Sequence, residues 1–242
     1  MGFAVVGAIC KLFSRFDSKH ETEVSPCSGD SKSYNFLTQH YQRHNQRRLE
    51  HLASLGLPLS GKTVLEVGAG IGDHTSFFID RECAVTCSDA RPDLLQILHD
   101  RHAGIVTYLW DVESAPPQSI PVCQIVYAYG ILYHTLQPKT VLENFASLCS
   151  EMLLLETCVS FGDEELVNVT PERPNDPTQA MRGFGCRPTR PWIFSNLKRL
   201  FPFVYVTKTQ PGMRNSPSTG KMLPPSLRAC CPVQYLSPQN IS

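Results

Sequence analysis

The feature that most constrains this chain is the run Thr63-Val64-Leu65-Glu66-Val67 closing on Gly68-Ala69-Gly70-Ile71-Gly72. An apolar, β-branched run ended by glycines reads as a buried strand followed by a sharp turn. Glycine suits such a turn because it accepts positive φ and lets the backbone approach a ligand closely. Folds that bind dinucleotides use a Gly-x-Gly-x-x-Gly spacing here and seat a pyrophosphate on the helix N-terminus. In this chain the third glycine comes one residue sooner, and Glu66 stands two residues before the turn. A carboxylate there suits a cationic amino group better than a diphosphate.

Downstream, hydrophobic periodicity switches repeatedly between strand and helix. It predicts helices over 36–55, 73–81, 92–102, 139–150 and 191–201, the first stopped at Gly56. Strands are predicted over 63–67, 84–89, 105–111, 124–130, 152–158 and 203–209. Strands separated by helices at this spacing specify an α/β fold: a doubly wound, mostly parallel sheet with helices on both faces. The stretch 162–190 has no clear period and several prolines, and reads as a substrate loop or lid over the carboxyl edge of the sheet.

With 242 residues, 42% of them hydrophobic, the chain can bury one full core, expected at 34–210. The polar stretch before it makes 1–33 a disordered or weakly helical tail, the helix resting on Val5, Val6, Ile9, Leu12, Phe13 and Phe16. Beyond Pro211 the composition changes to Gly212-Met213-Arg214-Asn215-Ser216-Pro217, and 211–242 reads as an irregular tail. Only Val233-Gln234-Tyr235-Leu236 there is weakly strand-like. A slip of reading frame near Gly212 would produce such a change.

Basic and acidic residues balance at 22 each, so no global field draws the chain to nucleic acid or an anionic membrane. The basic stretch 44–48 lacks an aromatic platform and reads as a solvated helix face. Ten cysteines scattered through apolar strands and tails read as reduced cytosolic thiols. Cys83 and Cys87 have no second Cys/His pair at zinc spacing, so no metal is expected. The apolar stretch 3–10 is too short to span a bilayer and follows no basic residues, so the chain reads as cytoplasmic with no membrane partner.

Two further acids stand at strand ends. Asp89 ends the second core strand, where a carboxylate can accept both ribose hydroxyls of an adenosine, and Asp111 ends the third, where one can accept from an adenine amino group. Singly, an acid at a strand end is more often a helix cap or a solvated turn. In register with the glycine turn, the three point jointly to a nucleoside site. The segment 64–72 resembles motif I of the class I methyltransferases that use S-adenosylmethionine (SAM). That resemblance implies that Glu66, Gly68 and Gly70 border the methionine part of SAM, Asp89 holds the ribose and Asp111 lies near adenine. Ala69, Gly72, Ala90 and Val112 complete the implied cofactor set. Tyr129-Gly130-Ile131-Leu132-Tyr133-His134 and Leu154-Leu155-Glu156-Thr157 are similar to strand ends of the bacterial tRNA wobble-uridine carboxymethyltransferases. The class normally closes with an antiparallel hairpin whose last strand inserts beside the fifth strand, and no such strand is evident here.

Methyl transfer from a sulfonium is an in-line displacement, so a protein chiefly positions the nucleophile and excludes water. A hydroxyl or ammonium acceptor must also lose a proton, and His134, after the fourth core strand, is the best-placed base or else a structural histidine bonded to the loop. Tyr129 and Tyr133 either line the donor pocket by cation–π attraction or pack as wall. His74, just after the glycine turn, either contacts the donor's carboxylate or is an exposed first-turn residue, and the second reading is favoured. Arg187 and Arg190 either clamp an acidic substrate or stay solvated. The leading expectation is methylation of a small molecule; tRNA modification and a catalytically silent SAM-binding protein are the alternatives.

Overall fold

The computed structural model describes residues 2–9, 34–209 and 234–235. Strand β1 (Phe3–Ile9) is followed by helices α1 (Tyr34–Leu37) and α2 (Gln39–Ser54). The helix expected over 36–55 is thus divided at Thr38, whose hydroxyl accepts from the Tyr41 amide and caps α2. Gly56, at φ +62°, ends it as expected. The alternating core follows: β2 (Thr63–Val67), α3 (Thr75–Ile79), β3 (Ala84–Asp89), α4 (Pro92–Arg101), β4 (Val106–Leu109), β5 (Cys123–Tyr129), α5 (Pro138–Ser147) and β6 (Cys149–Cys158). Then come β7 (Val167–Pro171), β8 (Phe184–Pro188), α6 (Arg190–Leu200), β9 (Phe203–Val206) and β10 (Gln234–Tyr235).

Eight strands form one sheet in the order β10-β9-β1-β6-β5-β2-β3-β4, and every neighbouring pair is parallel. Period-two alternation divides the side chains between the two faces. Leu65, Val67, Val126, Ala128, Leu153 and Leu155 pack against Val141, Leu142 and Phe145 of α5 and Ile193 and Leu197 of α6. Val64, Ile125, Tyr127, Tyr129, Met152 and Leu154 pack on the opposite face with Leu52 of α2, Phe77 and Phe78 of α3 and Leu98 of α4. Helices on both faces bury a parallel sheet completely, which is why its strands read as nearly continuous apolar runs.

The N-terminal segment departs from expectation. Residues 3–9 are neither helical nor a free tail: β1 lies between β6 and β9, with Val5 opposite Leu154 on one side and Tyr205 on the other. β-Branched Val5, Val6 and Ile9 favour extended backbone, and two flanking strands satisfy its amides where a helix of seven residues would be marginal. β1 therefore fills, in parallel, the place beside β6 where the expected antiparallel hairpin strand would insert. In the C-terminal stretch, Gln234–Tyr235 pairs with β9, so that tail is not wholly irregular. The change of character at Gly212, and the remainder of 10–33 and 210–242, lie outside the described residues.

The stretch 162–190 is also more regular than its sequence suggests. β7 and β8 form an antiparallel hairpin, Val167 opposite Pro188 and Pro171 opposite Phe184. Two short strands with prolines at their ends gave too little alternation to register. Among the described residues no helix is long and apolar enough to cross a membrane.

Candidate functional site

Strand order reverses between β2 and β5: the chain steps outward from β2 to β3 and β4 on one side, and from β5 to β6 on the other. Connections diverge at such a switch point and leave a crevice at the carboxyl ends of the strands. A cavity of about 1120 Å³ lies there, walled by the glycine turn, by Asp89 and Asp111, by α2 and by the segment joining β7 to β8. The turn is shaped by its glycines. Gly68 stands at φ +64°, and a Cβ there would meet Ile131 Cδ1 at 2.9 Å. Gly72, at φ +78°, is packed against His102 and lies outside the cavity wall.

Glu66 is buried on the α2 face of β2. Its Oε2 accepts from the Thr75 hydroxyl at 2.8 Å and from the Cys87 thiol at 3.7 Å, while burial pushes its carboxyl up to about 7. Asp89 closes β3 and stitches the turn to it: Oδ2 accepts from the Gly70 amide and Oδ1 from the Arg91 amide, both at 2.9 Å. Burial pushes Asp89 up, against the pull of those two amides. Asp111, past the end of β4, is bridged by Arg182 at 2.5 Å, and Arg182 also reaches Glu113 at 3.5 Å.

Below the turn lies a buried polar floor. Glu156 sits in β6 opposite Tyr129 in β5, and its Oε2 accepts from Arg48 of α2 at 2.7 Å. The Arg48 guanidinium passes 3.3 Å from where a Cβ at Gly130 would stand, so Gly130, at φ +83°, leaves room for it. Tyr129 stacks on Tyr127, centroids 4.4 Å apart, and the Tyr127 hydroxyl lies 2.9 Å from His74 Nδ1. His74 is only 8% exposed, which corrects the expectation of a solvated first-turn residue. Arg48 likewise is 5% exposed, so the basic stretch 44–48 is not uniformly a solvated face.

The opposite wall carries His134, in a short 3-10 turn (Leu132–His134) after β5. Its Nδ1 lies 2.5 Å from Glu172 Oε2, and Glu172 also accepts from the Ala180 amide at 2.7 Å and from Arg187 at 3.1 Å. Arg187 further donates to the Tyr133 carbonyl at 2.9 Å. Arg187 is thus held by protein partners while lining the cavity, and Arg190 lies outside the cavity wall.

Glu66, Gly68, Ala69, Gly70, Asp89, Ala90, Asp111, Val112, Tyr129, Tyr133 and His134 line this one cavity. Sequence reasoning missed Arg48, Glu172 and Arg182, and underrated His74. Glu156 had a visible signal, being a fourth acid near the end of a core strand. Cys83 and Cys87 make separate hydrogen bonds, to the Leu59 carbonyl and to Glu66. Among the described residues no group of three His, Cys, Asp or Glu side chains is placed to hold a metal ion.

The fold is that of the class I SAM-dependent methyltransferases. The N-terminal domain of EvdMO1, crystallised with SAH bound, superposes with a TM-score of 0.53 over 70% of this chain and 74% of its own, at 18% identity. The same domain crystallised in the presence of SAH and D-fucose gives 0.52 over 67% and 74%, at 17% identity. By sequence, the chain is 33% identical over 144 residues to the tRNA U34 carboxymethyltransferase of Actinobacillus succinogenes. The match spans 53% of this chain but only 41% of that relative. No family model matches the chain.

Proposed function

We propose that this protein is a SAM-dependent methyltransferase acting on a small-molecule acceptor, with 34–210 as the catalytic unit. One observation carries the reading: the glycine turn and the strand-end carboxylates Glu66, Asp89 and Asp111 face a single cavity at the switch point of a parallel sheet. The donor set fits adenosyl sulfonium in chemistry. Asp89 would accept the ribose hydroxyls, Asp111 the adenine amino group once Arg182 yields it, and Glu66 the ammonium of the amino-acid tail. When bound, the cofactor supplies an electrophilic methyl group on a positively charged sulfur. Tyr129 and Tyr133 offer aromatic faces to that charge.

His134 is the proposed proton acceptor for a hydroxyl or ammonium nucleophile. A carboxylate at Nδ1 fixes the ring so that Nδ1 carries the proton of the neutral form and Nε2 is free to accept, the logic of an oriented base. The hairpin that carries Glu172 also walls the cavity, and so excludes water from the reacting groups.

A second reading, modification of a tRNA wobble uridine, is favoured by the curated relative and by His40, Arg43, His44 and Arg47, which stand on the α2 side of the cavity. Incubation with methyl-labelled SAM separates the readings: small-molecule methylation predicts label in products of a metabolite extract and none in bulk tRNA. Label entering tRNA, with salt-sensitive binding, would favour the second. Saturable SAM binding with no label in either pool would favour a silent binding protein.

A further inference from the structure

Three consecutive residues of β8 dock on the turn that carries His134. A Cβ at Gly185 would collide with the Tyr133 carbonyl oxygen and stand 2.6 Å from Glu172 Oε1. Gly185 lies outside the left-handed region, so this position demands glycine for close approach rather than for backbone freedom. The Cys186 thiol donates to the Leu132 carbonyl at 3.4 Å. Arg187 then donates through Nη1 to the Tyr133 carbonyl at 2.9 Å and through Nη2 to Glu172 Oε1 at 3.1 Å.

The two acceptors of Arg187 are the two supports of His134. The Tyr133 carbonyl belongs to the residue just before His134, so that bond holds the backbone from which the imidazole projects. Glu172 Oε1 is the second oxygen of the carboxylate whose Oε2 meets His134 Nδ1 and the Ala180 amide. With a partner on each oxygen, the carboxylate has no rotation that keeps all of its bonds. The Arg187 and Glu172 side chains are 14% and 2% exposed, so water competes little for these contacts.

The residue type fits the task. A guanidinium is a flat fork that meets two acceptors at a fixed separation, whereas a lysine ammonium is a point charge. Arg187 also lies over the Tyr133 ring, Cζ 5.1 Å from its centroid, a third contact with the same turn. Geometry of this kind governs rate, because a misplacement of about 1 Å in a reacting group can cost about a hundred-fold.

We propose that Arg187 is a positioning residue for methyl transfer: reaching from β8, which Gly185 lets dock closely, it fixes both the backbone and the carboxylate that hold His134. The assignment rests on the reading of His134 as proton acceptor and adds to it the residue that sets its aim.

Transfer from methyl-labelled SAM, measured on the full chain with whichever pool takes label, metabolite extract or tRNA, tests this together with nitrogen-15 imidazole spectra. Arg187→Gln is expected to lower the maximal rate about ten- to a hundred-fold, to leave the KM for SAM unchanged, and to mix the tautomers of the neutral His134 ring. Arg187→Lys, which keeps the charge but meets one acceptor at a time, should recover part of the rate. Gly185→Ala, which pushes β8 off the turn and leaves Arg187 in the chain, should reproduce the loss, and carries the comparison with Arg187→Lys if Arg187→Gln does not fold. Val169→Ala, exposed on the same hairpin, should change neither readout. An unchanged maximal rate in folded Arg187 and Gly185 variants would overturn the proposal and leave the SAM reading standing. So would a loss that more acceptor pool restores, which would make Arg187 a substrate clamp, or a loss with the His134 tautomer unaltered. Transfer to neither pool by the unaltered protein would overturn the reading of His134 and the positioning role together.

Discussion

Glu172 holds His134 across 38 residues of sequence through a 2.5 Å bond between Oε2 and Nδ1. The carboxylate belongs to the segment between β7 and β8, so the hairpin and the proposed base form one unit. Nitrogen-15 imidazole spectra of the neutral ring in the unaltered protein should show His134 in the Nδ1–H form. Glu172→Gln should mix the two tautomers and speed amide exchange at Ala180, whose N–H the carboxylate accepts. A dominant Nε2–H form in the unaltered protein would remove His134 as an oriented base.

The pH dependence of the hairpin follows from the same contact. Burial alone would raise the Glu172 carboxyl, but its bonds from His134, Ala180 and Arg187 hold it below the ordinary carboxylate range. A depressed acid stabilises the fold above its unfolded pKa of about 4.3 and loses that contribution as pH falls through the lower folded value. Exchange at Ala180 should therefore stay slow at neutral pH and accelerate only below about pH 4.

Glu66 predicts the opposite slope. Burial raises it from the usual carboxylate value to about 7. The folded state then holds a proton that the unfolded chain has released, so this contribution is full below about pH 4.3 and is lost as pH rises toward 7. The cost of ionising it in the folded state is on the order of 3 kcal/mol. Glu66→Gln should thus be more stable than the unaltered chain at pH 8 and nearly equal to it at pH 4, read by urea unfolding. An ammonium ligand should reverse the effect by favouring the ionised form, so SAM affinity should rise with pH toward 7 and lose that rise in the variant.

Gly68 and Gly56 form a matched pair for the turn. Both are in the left-handed region, at φ +64° and +62°, but a Cβ at Gly68 meets Ile131 whereas nothing lies within 4 Å at Gly56. Gly56→Ala should cost about 1–2 kcal/mol, the backbone strain alone. Gly68→Ala should cost more and abolish SAM binding, whereas equal melting temperatures and intact binding would show that the turn is not shaped by this approach.

Local signals made the sheet legible. Thr63–Val67 and Ala84–Asp89 carry their own apolar runs and end on glycine or acid, so their bounds fall where the sequence places them. The acids closing β2 and β3 were visible because strand ends converge on one edge in any parallel sheet. Arg48 was not: within Gln46-Arg47-Arg48-Leu49 it looks like its exposed neighbour, and its partner Glu156 is 108 residues away. Glu172 was hidden in the same way, in a proline-rich stretch whose hairpin is held by long-range pairing. β1 was misread because seven apolar residues fit a helix or a strand until neighbours are known.

The central claim, that carboxylates at the ends of parallel strands cradle an adenosyl sulfonium, is tested most directly by titrating SAM and SAH into the unaltered chain and into Asp89→Ala. Loss of the ribose acceptor, which also frees the Gly70 amide, should weaken both ligands by about ten- to a hundred-fold. An exposed control on α5, Glu143→Ala, should leave both affinities unchanged. Saturable binding that Asp89→Ala leaves untouched, or no binding by the unaltered chain at all, would contradict the account.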